Sequence, residues 1–279
     1  MSEIFGSGAF SPKEIAQRVN DVGVAKVQLP LLSLIMLGLL AGAFIGLGGL
    51  YFVLIKSDAS MEFAAGQIIG GVAFSLGLIL VVVAGAELFT GNNLLAMAWA
   101  EGKISTLDIL KNWLVVCLAN FFGAAGLAIL VFLSGHTDMN NGAIAEQYIK
   151  IAAAKTSLPF WSAFFKGVLC NILVCMAVWM AIAGRTVIDK AVAIVFPISA
   201  FVAAGFEHCI ANMYIIPLAM LEQEYGVTNL AVEAITWGGF FNNLIPVISG
   251  NLVGGSLFVA LVYHIIYRRN INRSVNENL

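Results

Sequence analysis

Ala84-Gly85-Ala86-Glu87-Leu88-Phe89-Thr90-Gly91-Asn92 interrupts a long apolar stretch, and 120 residues later the chain reads Ala204-Gly205-Phe206-Glu207-His208-Cys209-Ile210-Ala211-Asn212. Both segments carry Ala-Gly-x-Glu-x4-Asn. A second match, at an offset of 131, relates Asn112, Asn120 and Gly123 to Asn243, Asn251 and Gly254; the change of offset corresponds to a longer loop before the last apolar segment. The chain is thus an internal repeat with a carboxylate, and other polar groups, in the middle of an apolar run in each half. Polar, irregular backbone at that depth survives in a membrane only where it packs within protein or lines a cavity.

The solvent must be lipid. Of 279 residues, 60% are hydrophobic and 11% are charged, with a mean hydropathy of +0.94; soluble domains carry about 25% charged residues. A net charge of -2 offers no basic face for nucleic acid. Cys117, Cys170, Cys175 and Cys209 lie in apolar stretches without a CxxC pair and read as small buried hydrophobes, with no metal site and no cofactor implied.

A bilayer crossing takes roughly 20 apolar residues. Spans are predicted near Pro30–Ile55, Phe63–Trp99, Leu107–Leu133, Leu158–Ala183, Ala191–Met220 and Trp237–Tyr267, the second and fifth too long or too interrupted for one plain helix. The expectation is an all-α integral membrane protein of six transmembrane helices in two three-helix repeats, residues 30–134 and 158–268, within a channel domain of residues 30–270. Three spans per half is an odd number, so the halves are inverted, the usual architecture for a transport site at the bilayer midplane.

Residues 1–29 have no apolar h-region, and Ser11-Pro12-Lys13-Glu14 reads as a capping box that starts an amphipathic helix with Ile15, Val19 and Val22 on one face, lying at the membrane surface. Residues 271–279 form a tail. Lys13, Arg18, Lys26, Lys103, Lys111, Arg185, Lys190, Arg268, Arg269 and Arg273 fall on one side, against Lys56, Lys150 and Lys155 on the other. The positive-inside rule puts both termini in the cytoplasm.

The chain resembles the formate–nitrite transporter family over about Pro30 to Tyr267. The resemblance is carried by Phe74-Ser75-Leu76-Gly77-Leu78, Gly85-Ala86-Glu87-Leu88-Phe89-Thr90, Ala154-Lys155-Thr156, Asn171-Ile172-Leu173-Val174-Cys175, Gly205-Phe206-Glu207-His208-Cys209-Ile210-Ala211-Asn212-Met213 and Asn243-Leu244-Ile245-Pro246. It implies an aquaporin-like helical fold, a homopentamer in the cell membrane with a separate pore in each protomer, and formate or a similar small anion as the permeating species. It also implies a cytoplasmic constriction of Leu78, Leu88 and Phe89 and an external one of Phe74, Val174 and Phe201. Apolar rings of this kind exclude hydrated ions by dewetting. An aquaporin proper is a poor match without Asn-Pro-Ala, and an ammonium channel would need a second intramembrane histidine facing His208.

The chemistry of a small anion in hydrocarbon selects the same residues. A bare carboxylate-sized ion costs on the order of 20 kcal/mol to desolvate in an idealised estimate, whereas protonating an acid of pKa near 4 at pH 7 costs about 4 kcal/mol. His208 is the candidate proton donor, with a buried core histidine as the alternative reading. Thr90 is its candidate hydroxyl partner, three positions after Glu87. Glu87 and Glu207 read as buried acceptors that tie the broken helix ends to backbone amides. Asn171, Asn243 and Asn251 read as scaffolding, with Asn171 and Asn251 also candidates to line the pore. Lys155 by itself reads as a solvated surface charge; the resemblance implies a fixed cation in the external funnel, which would gather anions. Lys166 lies inside a span, where pairing with a carboxylate and lining the pore are both open.

The leading reading is a pH-dependent formate channel or transporter. The Phe164-Phe165-Lys166-Gly167 segment looks more like the nitrite branch, so nitrite or hydrosulfide is the alternative. An intramembrane enzyme finds no HExxH, GxSxG or Gly-x-Gly-Asp motif. The N-terminal helix, with Lys13 and Arg18, is a candidate to close the cytoplasmic mouth at low pH.

Overall fold

A computed structural model describes residues 8–226, 230 and 233–267; the basic residues Arg268, Arg269 and Arg273 and the tail fall outside the described residues. The described residues are helical apart from connecting loops and one isolated bridge between Ala9 and Gly184. Helix α1 (Pro12–Val27) is followed by α2 (Leu31–Lys56) and α3 (Phe63–Leu80). A π turn (Val81–Gly85), a loop and a 3-10 turn (Gly91–Leu94) then lead to the short α4 (Leu95–Ala100). Next come α5 (Thr106–Leu133), α6 (Ala143–Thr156), α7 (Phe160–Ala183), α8 (Val187–Ala203), α9 (Cys209–Tyr225) and α10 (Trp237–Leu252), the last continuing through a π segment (Val253–Leu261).

Five helical stretches are long and apolar enough to cross a membrane: Leu31–Lys56, Phe63–Gly85, Thr106–Leu133, Phe160–Ala183 and Trp237–Tyr267. The remaining expected span is divided into α8 and α9, 17 residues each, separated by the Gly205–His208 break. The outside of the bundle is apolar. Leu32, Leu133 and Phe196 are 72%, 73% and 70% exposed, while Asn120, Asn171, Asn212, Asn243 and Asn251 are wholly buried. That inversion of the soluble pattern fits a lipid or subunit environment around a polar interior.

Glycines let the long helices cross closely. A Cβ on Gly123 would meet the Leu39 carbonyl of α2, and one on Gly42 the Asn120 carbonyl of α5. In the second half, Cβ atoms on Gly250 and Gly254 would meet the carbonyls of Phe164 and Val168 in α7. Small residues at such crossings allow the backbone-to-backbone packing that replaces hydrophobic burial in lipid.

Two elements differ from the sequence reading. Helix α6 occupies what reads as a loop; it buries Ile144, Ala145, Tyr148, Ile149 and Ala152, and its Tyr148 hydroxyl lies 2.7 Å from that of Tyr214. Its last turn delivers Lys155. Helix α1 has the expected capping box between Ser11 and Glu14, but one of its faces packs on protein. Ile15, Ala16, Val19 and Gly23 are buried, and Gly23 sits against Ala98 and Leu95 of α4. Phe10 is clamped between Arg18 and Arg185, whose guanidinium carbons lie 3.5 and 4.2 Å from its ring centroid. Val22, placed on one face with Ile15 and Val19, is 43% exposed and lines a cavity.

Candidate functional site

The two breaks are built alike. Gly85 (φ +83°) and Gly205 (φ +69°) are both left-handed, a conformation that glycine adopts without a Cβ penalty; each ends the preceding helix and turns the chain inward. The freed backbone is then held by an asparagine from the last long helix of its half. Asn120 accepts from Phe89 N at 2.9 Å and donates to the carbonyls of Gly38 (2.8 Å) and Glu87 (2.9 Å). Asn251 accepts from Cys209 N at 3.0 Å and donates to Gly167 (2.8 Å) and Glu207 (3.0 Å). The glutamate amides donate to α2 and α7 in the same way, Glu87 N to Leu37 O and Glu207 N to Lys166 O.

The carboxylates have different partners from those the sequence reading gave them. Glu87 takes Lys26 Nζ at 2.6 Å and Asn92 Nδ2 at 2.7 Å; Asn92 Nδ2 also reaches Asn112. Glu207 takes Lys155 Nζ at 2.9 Å and Asn212 Nδ2 at 2.7 Å, and Asn212 also reaches Asn243. Neither carboxylate ties backbone amides. The asparagines do that, because a buried carboxylate needs a cation to offset its desolvation, which an amide N–H supplies only partly. Lys155 is accordingly an ion-paired group and not a free funnel charge.

Two cavities enter from opposite ends of α2. The one at the Lys56 end, called outer after the sidedness that the positive-inside rule predicts, is of about 340 Å³ and is lined among others by Phe52, Lys56, Phe74, Lys155, Phe201 and His208. The inner, of about 460 Å³, is lined among others by Lys26, Leu37, Leu78, Glu87, Leu88 and Val178. Between them lies a buried contact: Thr90 Oγ1 is 3.0 Å from His208 Nε2. Thr90 is fully buried and His208 is 3% exposed.

Three features position that pair. His208 caps α9, its Nδ1 accepting from Ala211 N at 3.2 Å. Its ring is stacked on Phe201 with centroids 5.9 Å apart, and Phe201 meets Phe74 edge-on at 5.7 Å. The Thr90 carbonyl is held by Asn171 Nδ2 (3.2 Å) and Cys175 Sγ (3.4 Å). The two hydrogens of Asn171 Nδ2 go to Asn93 Oδ1 and Asn251 O, both at 2.7 Å, so that the longer contact with Thr90 O is a shared one; Asn171 Oδ1 has no partner among the described residues. Asn171 and Asn251 line neither cavity; Asn251 is spent on backbone, so the scaffolding half of its reading is the one its contacts fit. Phe89 and Val174, 3% and 1% exposed, also line neither cavity.

Lys26 is the residue sequence reasoning missed, counted there only as a charge on the inner side. It stands 61 residues before Glu87, whereas Lys155 stands 52 before Glu207, so the 120-residue offset does not reach it. Among the described residues no cluster of three or more His, Cys, Asp or Glu side chains could hold a metal.

A polar helix break held at mid-bundle between two cavities is the arrangement of a membrane transport site. The comparisons agree. The model of the family described as formate/nitrite transporter matches residues 13–265, and the chain belongs to that family. It is 40% identical over 269 residues to the uncharacterized transporter YrhG of Bacillus subtilis, covering 95% of this chain and 96% of that one. It is 37% identical to the formate channel FocA of Escherichia coli, covering 92% and 94%. Among solved structures, a pentameric formate channel with formate bound superposes with a TM-score of 0.78 at 36% identity, covering 85% of this chain and 97% of that one. An FNT family ion channel superposes with a TM-score of 0.80 at 30% identity, covering 90% and 97%.

Proposed function

We propose that this chain passes formate and similar small monovalent weak-acid anions across the cell membrane, neutralising the anion at the Thr90–His208 step. The observation that carries the reading is the buried Thr90–His208 contact at 3.0 Å, approached from both ends by a cavity with a lysine–glutamate pair in its wall. The names of relatives support it: FocA is a formate channel, and one similar structure holds formate in a pentamer.

In this reading an anion enters a cavity that has an ion-paired lysine in its wall. Phe74, Val174 and Phe201 form the outer constriction; Leu78, Leu88 and Phe89 form the inner one. Between them water is excluded and the anion crosses as the neutral acid. Thr90 and the unpartnered Asn171 Oδ1 are the polar groups that take the place of its hydration. The assembly is a homopentamer with one pore per protomer, six spans in two inverted repeats and both termini in the cytoplasm. No chemical conversion is assigned to it.

The test is labelled formate uptake into proteoliposomes across external pH, wild type against His208→Ala. Uptake that rises as pH falls in wild type and drops tenfold or more in the variant supports neutralisation at His208. Equal uptake by both makes His208 structural. No uptake by either removes formate and puts nitrite and hydrosulfide first.

A further inference from the structure

Lys166, for which the residues left carboxylate pairing and pore lining both open, lines the outer cavity together with Lys56 and Lys155. The only carboxylate in that lining is Glu207, and it is paired with Lys155 at 2.9 Å. Among the described residues neither Lys56 nor Lys166 has a carboxylate at ion-pairing distance; Lys56 Nζ lies 5.6 Å from the Phe63 ring centroid. Two half-buried cations therefore stand uncompensated in one cavity of about 340 Å³.

The inner cavity has no such excess, since its only charged lining groups are Lys26 and Glu87, bonded to each other. The pseudo-symmetry locates the difference. Glu207 N donates to Lys166 O as Glu87 N donates to Leu37 O, so Lys166 stands in the second half where Leu37 stands in the first. The same 129-residue offset relates Lys56 to Arg185, which is turned onto the Phe10 ring and is absent from the inner lining. Lys166 is thus a cation where the first half has an apolar residue, and Lys56, unlike its counterpart Arg185, lines a cavity.

We propose that the outer cavity binds small dianions, with Lys56 and Lys166 as their partners, and that a bound dianion blocks the pathway. The proposal rests on the reading of the pathway as one for anions. A monovalent anion satisfies one of the two charges and leaves when neutralised. A dianion satisfies both, and because it would need two protons to become neutral it does not pass the Phe74–Phe201 step. Its site is a dead end that competes with monovalent anions for the same space.

Sulfate is the probe, being doubly charged throughout the working pH range. Formate uptake is measured in proteoliposomes with sulfate on both sides at constant ionic strength, comparing wild type, Lys166→Leu, Lys166→Arg and Lys56→Gln/Lys166→Leu. The expected result is competitive inhibition of wild type and Lys166→Arg, with the half-inhibiting concentration raised tenfold or more in Lys166→Leu and further in the double variant. Equal sensitivity of all four overturns the proposal. Should wild type carry no formate, the substrate reading fails by itself. Calorimetric titration of the purified, monodisperse protein with sulfate then decides: binding lost in the double variant supports the dianion site, and identical or absent binding in wild type and double variant overturns it.

Discussion

His208 is held in a defined tautomer by its place at the start of α9. Nδ1 accepts from the Ala211 amide, so it carries no hydrogen, and the hydrogen of the neutral ring is on Nε2, directed at Thr90 Oγ1. Gaining a second proton means giving up the cap bond at 3.2 Å, which couples the charge of the ring to the first turn of α9. Thr90→Val keeps the shape of the side chain and removes the hydroxyl, leaving Nε2–H unpartnered in a buried site at a cost of about 1–3 kcal/mol. The expected outcome is uptake lowered by tenfold or more, with the protein still monodisperse. Unchanged uptake would mean that the hydroxyl has no part in the transfer. At the same scale Lys155→Met strands the Glu207 carboxylate and is expected to destabilise by roughly 3 kcal/mol, while Lys155→Met/Glu207→Gln recovers much of that loss. Thermal unfolding in detergent would test the pair.

At the level of elements, the broken helices are kept open by side chains from the long helices beside them. Asn251→Ala removes one acceptor and two donations to backbone at once, with an expected cost of roughly 3 kcal/mol or more from stranded buried groups and a lower unfolding temperature. Asn120→Ala is expected to match it, because the contacts of Asn120 have the same form. A much smaller effect at either position would mean that water substitutes readily. Gly250→Ala puts a methyl against the Phe164 carbonyl and should force α7 and α10 apart, lowering the yield of folded protein; a stable Gly250→Ala protein would show that the crossing has slack.

For the whole molecule, α1 forms part of the inner cavity through Val22, Ala25 and Lys26. The Glu14 carboxyl is held below its ordinary value of 4.5 by hydrogen bonds from Ser11, with Arg185 and Arg18 adding to the effect. A depressed carboxylate stabilises the helix start at pH above its unfolded value, and this contribution is lost only as pH falls through the still lower folded value. The cap therefore persists from pH 8 to pH 5, and hydrogen-exchange protection of residues 12–27 should be the same at pH 7.5 and pH 5. Loss of protection at pH 5 would contradict this. If α1 closes the inner mouth in acid, it does so as a folded helix, and deleting residues 1–26 should abolish that closure; a pH response unchanged by the deletion would remove α1 from gating.

Much of this was legible in the residues. Composition required lipid as solvent, and the Ala-Gly-x-Glu-x4-Asn pair marked where two helices break, because a carboxylate within 18 or more apolar residues needs a special surrounding. Ser11 and Glu14 announced the start of α1. What the sequence could not contain were distances across the bundle. That Lys26 reaches Glu87, that Asn251 serves backbone and that α6 forms beneath Tyr214 all join residues far apart in the chain; the pairing of Thr90 with His208 was a candidate from the residues, and the structure adds its 3.0 Å distance. Local periodicity says which face of a helix is polar but not what stands opposite it. Hydropathy and repeat fixed the kind of protein and the positions of its breaks; the packing of one half against the other decided which charges are paired, leaving Lys56 and Lys166 in the outer cavity without a carboxylate partner among the described residues.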